Sequence, residues 1–522
     1  MVRMTPCNGV FVSASIVLAA GRRLLPRDAG LGSPQSAEGF LAWASRHGCV
    51  LGPVRIAPSG FGGGVGMFAT RDVEVDELLF SVPQRMHLGL DKALGDVECA
   101  EDFEEGLIDG TGLSSLSTYL AKLNLCNDSV FSPYFNTLSL QTADHVQFWS
   151  KPELDLFEGT AAHEPAMVMR EDADDIVEFA LGLDSLRRCV EQSLSSRGID
   201  YNEDAIDSLI ADYVRSAYSL VMSRGFGDSE VLGGRSLIPV LDKLQHGKPV
   251  SISFRDEQSE TSELCKVARA RRSISAGEEI FISYGDHPNY VFATVYGFVP
   301  SVSSKDANVR SECILALGHS VNLDDIGPSM AREAQMQGAE LGKGQIEELV
   351  GQESHLQLVK LMWDAGATYP LSFIVTDDMI DEAIAHAAAG KRSSNAHGAE
   401  AFVACARLCS LNSSDFVEFA GAGVESAEQQ DTVLNRLLYS DDGRISKEND
   451  RKAAQLVRET AKEQLRRLEL PPEPSTSAFS APREECMRLA SRMRESEMLV
   501  LRRLACEDAH RLFGLTAAEL TS

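Results

Sequence analysis

Three separated stretches of this chain carry side chains or backbone suited to chemistry. The first is glycine-rich: Gly62-Gly63-Gly64-Val65-Gly66-Met67-Phe68-Ala69. Glycines adopt positive φ and let the backbone come close to a ligand. The spacing is not that of a dinucleotide loop, and the Lys and Ser or Thr of a P-loop are missing. The second stretch joins Ser223-Arg224-Gly225-Phe226 to Leu237-Ile238-Pro239-Val240-Leu241-Asp242-Lys243-Leu244-Gln245-His246-Gly247. A strand that ends in an Asp, an amide and an imidazole puts polar groups at a terminus, where sites are often built. The third runs Ala276-Gly277-Glu278-Glu279-Ile280-Phe281-Ile282-Ser283-Tyr284-Gly285, then Asn289, then Tyr296-Gly297-Phe298-Val299. It delivers one tyrosine from an apolar strand and a second after a short helix. Taken singly, each stretch also has a plain structural reading. These are a tight turn, a capped turn with a satisfied histidine, and core aromatics whose hydroxyls find partners.

The elements around these stretches say how they are positioned. Ser36 to His47 reads as a short helix with Phe40, Leu41 and Trp43 on its apolar surface. Val73 to Pro83 mixes alternating and continuous apolar residues, the pattern of strands joined by turns. From about Leu113 to Phe226 the text is helical, with helices expected around Asp174 to Ser193 and Glu203 to Arg224. Strand character returns at Leu237 to Val240, Val250 to Phe254, Cys265 to Ala270 and Glu279 to Tyr284. Strands thus bracket a helical insert, which predicts one α+β domain with an insertion. Beyond about Asp324 the strand signals nearly vanish. Ala454, Val457, Ala461, Leu465 and Leu468 recur at three and four, marking one buried helix face. Pro471, Pro472 and Pro474 break that helix, and a last one carries Cys486, Ala490, Met493, Leu501 and Leu504. No repeat period emerges.

Composition narrows the classes. At 522 residues and 44% hydrophobic content the chain can fill more than one core. Its formal net charge of −28 argues against a nucleic-acid binder, which needs a basic groove. Acidity of this size serves solubility or meets a partner with a basic surface. The eleven cysteines are scattered without a CxxC pair, which predicts a reducing compartment, no disulfide framework and no structural metal. Before Asp28 there is no acidic residue, and arginines flank the apolar run Val10 to Ala20. That run is too short to span a bilayer. It reads equally as the core of a signal peptide, part of an organelle (plastid-type) transit peptide, or a leader of no consequence in a cytoplasmic protein.

In this order the stretches resemble the SET-domain methyltransferases, in the branch of the plastid Rubisco lysine methyltransferase and the actin-histidine methyltransferase. The glycine stretch resembles that branch's GxGxxA opening, followed by a strand ending in Val82-Pro83. Ser132-Pro133-Tyr134-Phe135, Phe148-Trp149-Ser150 and Leu156-Phe157-Glu158-Gly159-Thr160 resemble the signatures of its insert. Ser223 to Phe226 is similar to its SRxF, Asp242 to His246 to its DxxNH, and Tyr284 to Phe298 to its YG…N…YGF. The final helices, including Arg488 to Glu497, resemble its C-terminal substrate-binding domain. The likeness runs from about residue 36 to about 515.

The resemblance implies S-adenosyl-L-methionine as cofactor and a β-rich SET domain at 36–323 with its helical insert at about 113–226. An all-α substrate-binding domain at 324–515, a leader at 1–35 and a tail at 516–522 complete the expected organisation. Gly64, Gly66, Met67 and Phe68 would approach the cofactor through backbone groups, and Arg224 with Gln245 and His246 would hold its two ends. Tyr284 would be the catalytic tyrosine. Ser223, Phe226, Asp242, Tyr296 and Phe298 would line the acceptor channel. Two departures stand out. Gln245 replaces the family's Asn, and Asp76-Glu77 replaces a Gly-Glu pair before the Val82-Pro83 strand.

Methyl transfer from a sulfonium is an in-line displacement, so catalysis is chiefly alignment, for which positioning contributes ~7–11 kcal/mol. A lysine acceptor must first lose a proton, which costs ~4 kcal/mol near pH 7.4 from a pKa of ~10.4. Desolvation beside a positive sulfonium lowers that cost. A histidine acceptor is already mostly neutral. The absence of a cysteine-rich segment after Tyr296 removes the zinc cluster with which many histone-directed relatives close the channel. The expectation is a monomeric protein-lysine methyltransferase of a folded, non-histone protein, without a membrane span. A protein-histidine methyltransferase and a degenerate SET-fold adaptor are the alternatives.

Overall fold

The computed structural model describes residues 34–60, 64–105, 112–126, 129–138, 145–227, 235–259, 262–285, 287–300, 311–316, 372–389, 399–410, 445–470 and 482–521. Residues 1–33 of the expected leader, Gly62-Gly63 and the proline break at 471–474 lie outside the described residues, and the last two leader positions, Pro34 and Gln35, open the helix Pro34–Arg46. The chain divides into two units. The first comprises Met1–Leu154, Glu164–His287 and Val291–Phe298, and the second Asp155–His163, Pro288–Tyr290 and Val299–Ser522.

Among the described residues the first unit contains three small sheets. Strands β1 (Val50–Leu51), β4 (Leu78–Pro83), β9 (Ile252–Gln258) and β10 (Leu264–Ala270) form one, in the order β1-β4-β10-β9. β2 (Val54–Pro58), β3 (Val65–Ala69), β8 (Gln245–His246) and β11 (Glu279–Ile282) form the second, in the order β2-β3-β11-β8. β5 (Leu88–Gly89), β6 (Gly225–Gly227) and β7 (Arg235–Leu237) form the third. β4 is buried along nearly its whole length, the signature of a strand covered on both faces. β9 is an edge strand whose outward Arg255, Asp256 and Glu257 discourage further pairing.

The expected helical insert is present. Glu203–Arg224 packs along Leu113–Cys126 through Ile206, Ile210, Tyr213 and Val214. Its start is set by Asn202, whose side chain accepts the Ala205 N–H at 2.9 Å. It stops at Gly225, where a Cβ would stand 2.3 Å from the Val221 carbonyl oxygen. No larger residue could release the chain into β6 there. The helix expected around Asp174 to Ser193 is two helices, His163–Leu181 and Asp184–Ser196, because Gly182-Leu183 leaves the helical path.

The second unit has its own core. Helices Asp377–Ala389, Ala399–Cys409, Lys447–Glu469 and Glu484–Arg502 bury Ile380, Phe402, Val457, Ala461, Val500 and Leu501. The spacing of Ala454, Val457, Ala461 and Leu468 faces that core as the sequence predicts. A ladder of β12 (Glu312–Ala316) with β13 (Ser372–Thr376) joins the helices. The helical reading did not include it, since alternation over so few residues is easily lost in the surrounding text.

Candidate functional site

One sheet gathers the three chemical stretches of the sequence. β11 lies between β3 and β8, with Ile280 opposite Met67 on one side and Ile282 beside His246 on the other. The glycine turn therefore stands one strand away from the strand that delivers Tyr284, and the Gln245-His246 pair stands on its other flank. Gly64 turns the chain into β3 at φ 79°. Gly66 lies beneath the Glu279 carboxylate, whose Oε1 would be 2.0 Å from a Cβ placed there.

Around His246 the side chains form an aromatic cluster. Its ring lies 5.4 Å from Tyr284, 4.9 Å from Phe292 and 6.1 Å from Phe298. Tyr284 and Tyr296 stack at 4.8 Å between ring centres. A π-helical turn, Phe292–Tyr296, places Phe292 and Tyr296 in this cluster, and Gly297 at φ 77° ends it. The His246 Nδ1 accepts the Tyr284 N–H at 3.1 Å, which leaves the proton of a neutral imidazole on Nε2. Burial first, then Lys248 and His287, push the His246 pKa down to about 4, so the ring is neutral near pH 7. The Tyr284 hydroxyl donates to the Leu244 carbonyl at 3.0 Å, and burial pushes its pKa up to about 12. Burial also raises Tyr296, whose hydroxyl reaches the Tyr284 carbonyl at 3.4 Å. Both phenols stay protonated and act as donors.

Behind the Gln245 turn lies a buried polar cluster. The Asp242 carboxylate accepts the Tyr134 hydroxyl at 2.9 Å and the Lys243 ammonium at 3.0 Å. Arg224 Nη1 donates to the Asp242 carbonyl at 2.7 Å, spending one of five guanidinium donors on holding the turn. His145, from the insert, is kept neutral by burial and then by the Arg224 charge, which push it down to about 4. Its Nδ1 is buried without a partner, as are both amide atoms of Gln147 and the second carboxylate oxygen of Asp242. Orphaned polar atoms beside a guanidinium suit a polar ligand.

The sequence-expected residues divide into groups. Gly64, Gly66, Gln245, His246, Tyr284, Tyr296 and Phe298 stand on or beside the one sheet. Met67 presents a fully buried side chain to the core, while Phe68 packs beneath the Arg55 guanidinium at 5.0 Å, leaving these two only backbone groups to offer. The Ser223 hydroxyl is turned back onto the Ser219 carbonyl at 2.6 Å. Asp242 acts behind the turn, and Phe226 meets Phe254 edge-on at 5.8 Å. Sequence reasoning missed His145, Gln147 and Phe292. For Phe292 the signal was available, since it stands one helical turn before Tyr296. His145 and Gln147 gave none, because their place follows from how the insert packs.

A glycine turn, a tyrosine-bearing strand and a polar turn converge on one short sheet. The family model described as the SET domain matches residues 64–285, the span that holds all three. The chain is similar to "N-lysine methyltransferase setd6" of Xenopus laevis, 28% identical over 284 residues, covering 52% of this chain and 59% of that protein. It is 25% identical over 289 residues to the "Ribulose-1,5 bisphosphate carboxylase/oxygenase large subunit N-methyltransferase, chloroplastic" of Nicotiana tabacum, covering 52% and 53%. The chain thus spans little more than half the length of the curated relatives it matches. The solved "Structure of Rubisco LSMT bound to AdoMet" superposes with a TM-score of 0.56 over 91% of each chain at 16% identity, a likeness of fold. Among the described residues, no group of His, Cys, Asp and Glu is arranged to hold a metal ion, and no helix is long and apolar enough to cross a membrane.

Proposed function

We propose that this chain is an S-adenosyl-L-methionine-dependent protein-lysine N-methyltransferase whose substrate is a folded, non-histone protein. The observation that carries the reading is the convergence on β11 of the glycine turn, neutral His246 and the stacked Tyr284 and Tyr296. The name of the Xenopus laevis relative, an N-lysine methyltransferase, favours lysine over histidine as acceptor.

The donor set fits the cofactor. Arg224 offers a guanidinium to a carboxylate, Gly64 and Gly66 carry no side chain to keep a ligand from the backbone, and neutral His246 suits an adenine edge, while Met67 and Phe68, paired with both β2 and β11, would act by shaping β3. Electron-rich faces of Tyr284, Tyr296 and Phe292 suit a sulfonium. When bound, S-adenosylmethionine supplies an electrophilic methyl group. The chain's residues do the rest. Stacked rings exclude water and hold the acceptor nitrogen on the line of attack. The protonated phenols present fixed dipoles, and the apolar wall disfavours an ammonium, so the acceptor arrives neutral more readily. In this reading Tyr284 is the catalytic tyrosine, and Phe226, Tyr296 and Phe298 border the acceptor. Ser223 and Asp242 support that border from within. In this reading the first unit carries the chemistry and the second selects the substrate, with the acidic composition favouring a basic partner. The protein works as a monomer.

Calorimetry with S-adenosylhomocysteine tests the cofactor assignment, and binding is expected. Labelled S-adenosylmethionine with a cell extract, followed by mass spectrometry, should locate the label on lysine. Label on histidine would move the acceptor assignment, and a folded protein that binds no cofactor is an adaptor. Tyr284→Phe removes the bond to the Leu244 carbonyl, and turnover should fall ~100-fold with the fold intact, as misplacement near 1 Å does. An unchanged rate would take Tyr284 out of the mechanism.

A further inference from the structure

We propose that Gln245 is a positioning residue: its side chain clamps the glycine turn to the His246 strand, and its length is what makes the clamp possible. The proposal rests on the methyltransferase reading only for its consequence on cofactor affinity; the clamp itself is a statement about the free protein.

Gln245 Nε2 lies 2.6 Å from the Val65 carbonyl oxygen, a contact across 180 residues of sequence. A carbonyl can only accept, so the amide nitrogen must be the atom that faces it. Alternation along β3 explains why this carbonyl needs a side-chain donor. The Ser59 N–H donates to the Gly64 carbonyl at 3.1 Å, which makes that pair hydrogen-bonded across β2 and β3. The next pair, Val65 opposite Pro58, is therefore a non-bonded one, and the Val65 carbonyl points away from β2 toward β11. The ladder between β3 and β11 pairs Phe68 with Glu279 and Met67 with Ile280 and goes no further toward Val65. Val65 thus presents a ladder carbonyl past the end of its ladder. β8, parallel to β11 with Gln245 beside Phe281, brings the amide to that point.

The extra methylene explains the departure from asparagine. An asparagine amide would end ~1.5 Å short, one carbon–carbon bond, and a gap near 4 Å is no hydrogen bond. Glutamine therefore does here what asparagine cannot: it closes the third side of the sheet and fixes the turn from which Gly64 and Gly66 face the cofactor. The nitrogen of this amide is committed to the protein. The amino-acid end of the cofactor is then held by Arg224 and main-chain groups, with Gln245 acting through the turn.

The test uses the full-length chain and two near-isosteric changes, Gln245→Glu, which cannot donate when ionised, and Gln245→Asn, which cannot reach. Hydrogen exchange of the peptide spanning Val65–Ala69 is measured without cofactor. It should quicken at least 10-fold in both variants, while Ile252–Gln258 and Leu264–Ala270 exchange as in the wild type. Calorimetry then compares S-adenosylhomocysteine with 5′-methylthioadenosine, which lacks the amino-acid part. Affinity for both should fall by a similar factor, about 10-fold. Unchanged exchange at Val65–Ala69 in the glutamate variant overturns the clamp. Exchange that quickens as much in Ile252–Gln258 and Leu264–Ala270, which lie in the other sheet, also overturns it, since the residue would then be merely structural. A loss confined to S-adenosylhomocysteine makes Gln245 a direct ligand of the amino-acid end and overturns the positioning role. If the wild type binds neither compound, the methyltransferase reading fails, and the exchange measurement still decides the clamp.

Discussion

Lys243 is almost wholly buried, with its ammonium 3.0 Å from Asp242 Oδ2, 4.8 Å from the centre of the Tyr134 ring and 5.5 Å from that of Phe40. Burial pulls its pKa down to about 8, and Asp242 works against that pull while Arg224 adds to it. The pair is thus a desolvated charge held by one carboxylate and two aromatic faces. Pairs of this kind contribute little net stability, yet removing one member leaves a charge without compensation. Lys243→Met should therefore cost ~3–5 kcal/mol in chemical denaturation. Adding Asp242→Asn should recover most of that loss, because the amide still accepts the Tyr134 hydroxyl and no net charge remains. A single variant as stable as the wild type would mean that Lys243 does not compensate a buried charge, and the account of the turn behind Gln245 would need replacing. From its spacing alone Asp242 is only an aspartate within a polar motif. That it works inside the fold depends on Tyr134, from the insert, and on Lys243, neither legible from spacing.

Two backbone positions set the elements that carry the site. Asp76 sits at φ 67° in the turn before β4, where its N–H donates to the Ala270 carbonyl at 2.8 Å. The residue that departs from the family's glycine is thus in a conformation that glycine adopts freely. Asp76→Gly should raise stability by ~1 kcal/mol, the scale of the left-handed penalty for a residue with a Cβ. The denaturation midpoint checks it, and a fall would mean that the aspartate side chain holds the turn. Val240 is the second position, a buried β-branched residue at φ 74°, ψ −53°, close to the strained, rarer form of the γ-turn. It explains why the strand expected to run to Val240 ends at Leu237. The aliphatic residues of Leu237-Ile238-Pro239-Val240 read as a strand, and Pro239, which cannot donate to a ladder, is the signal within it of the reversal. Where local pattern and tertiary demand agree, the reading was close: the helix over Glu203 to Arg224 lies where predicted, and β10 starts one residue before Cys265. The site's key strands are harder. β8 has two residues and no periodicity to detect, so the contact of Gln245 with Val65 could only come from the structure.

At the scale of the molecule, each of the two units buries polar groups, and the second does so with a net excess of acid. Glu497 accepts the Ala161 N–H at 2.8 Å, and Asn289 donates to the Ser496 hydroxyl at 2.9 Å and to the Glu312 carboxylate. Burial pushes the Glu497 pKa up to about 8; Glu312 raises it further, while the Ala161 N–H and Arg494 oppose. The unfolded chain releases this proton near pH 4.5 and the folded unit holds it to about pH 8. Between those values the native state binds the extra proton, so stability falls as pH rises, by on the order of 4 kcal/mol across the window. Below pH 4.5 the group is protonated in both states and contributes no slope. Glu497→Gln keeps an oxygen for the Ala161 N–H and cannot ionise. It should match the wild type near pH 4.5 and exceed it at pH 8 by on the order of 4 kcal/mol, the stability the wild type loses across the window. Denaturant titrations of both proteins at several pH values, followed by a probe of the second unit, check this directly. Parallel curves for the two proteins would mean that Glu497 is ionised throughout, and the network of Asn289, Glu312 and Ser496 would then have to stabilise a buried anion rather than an acid.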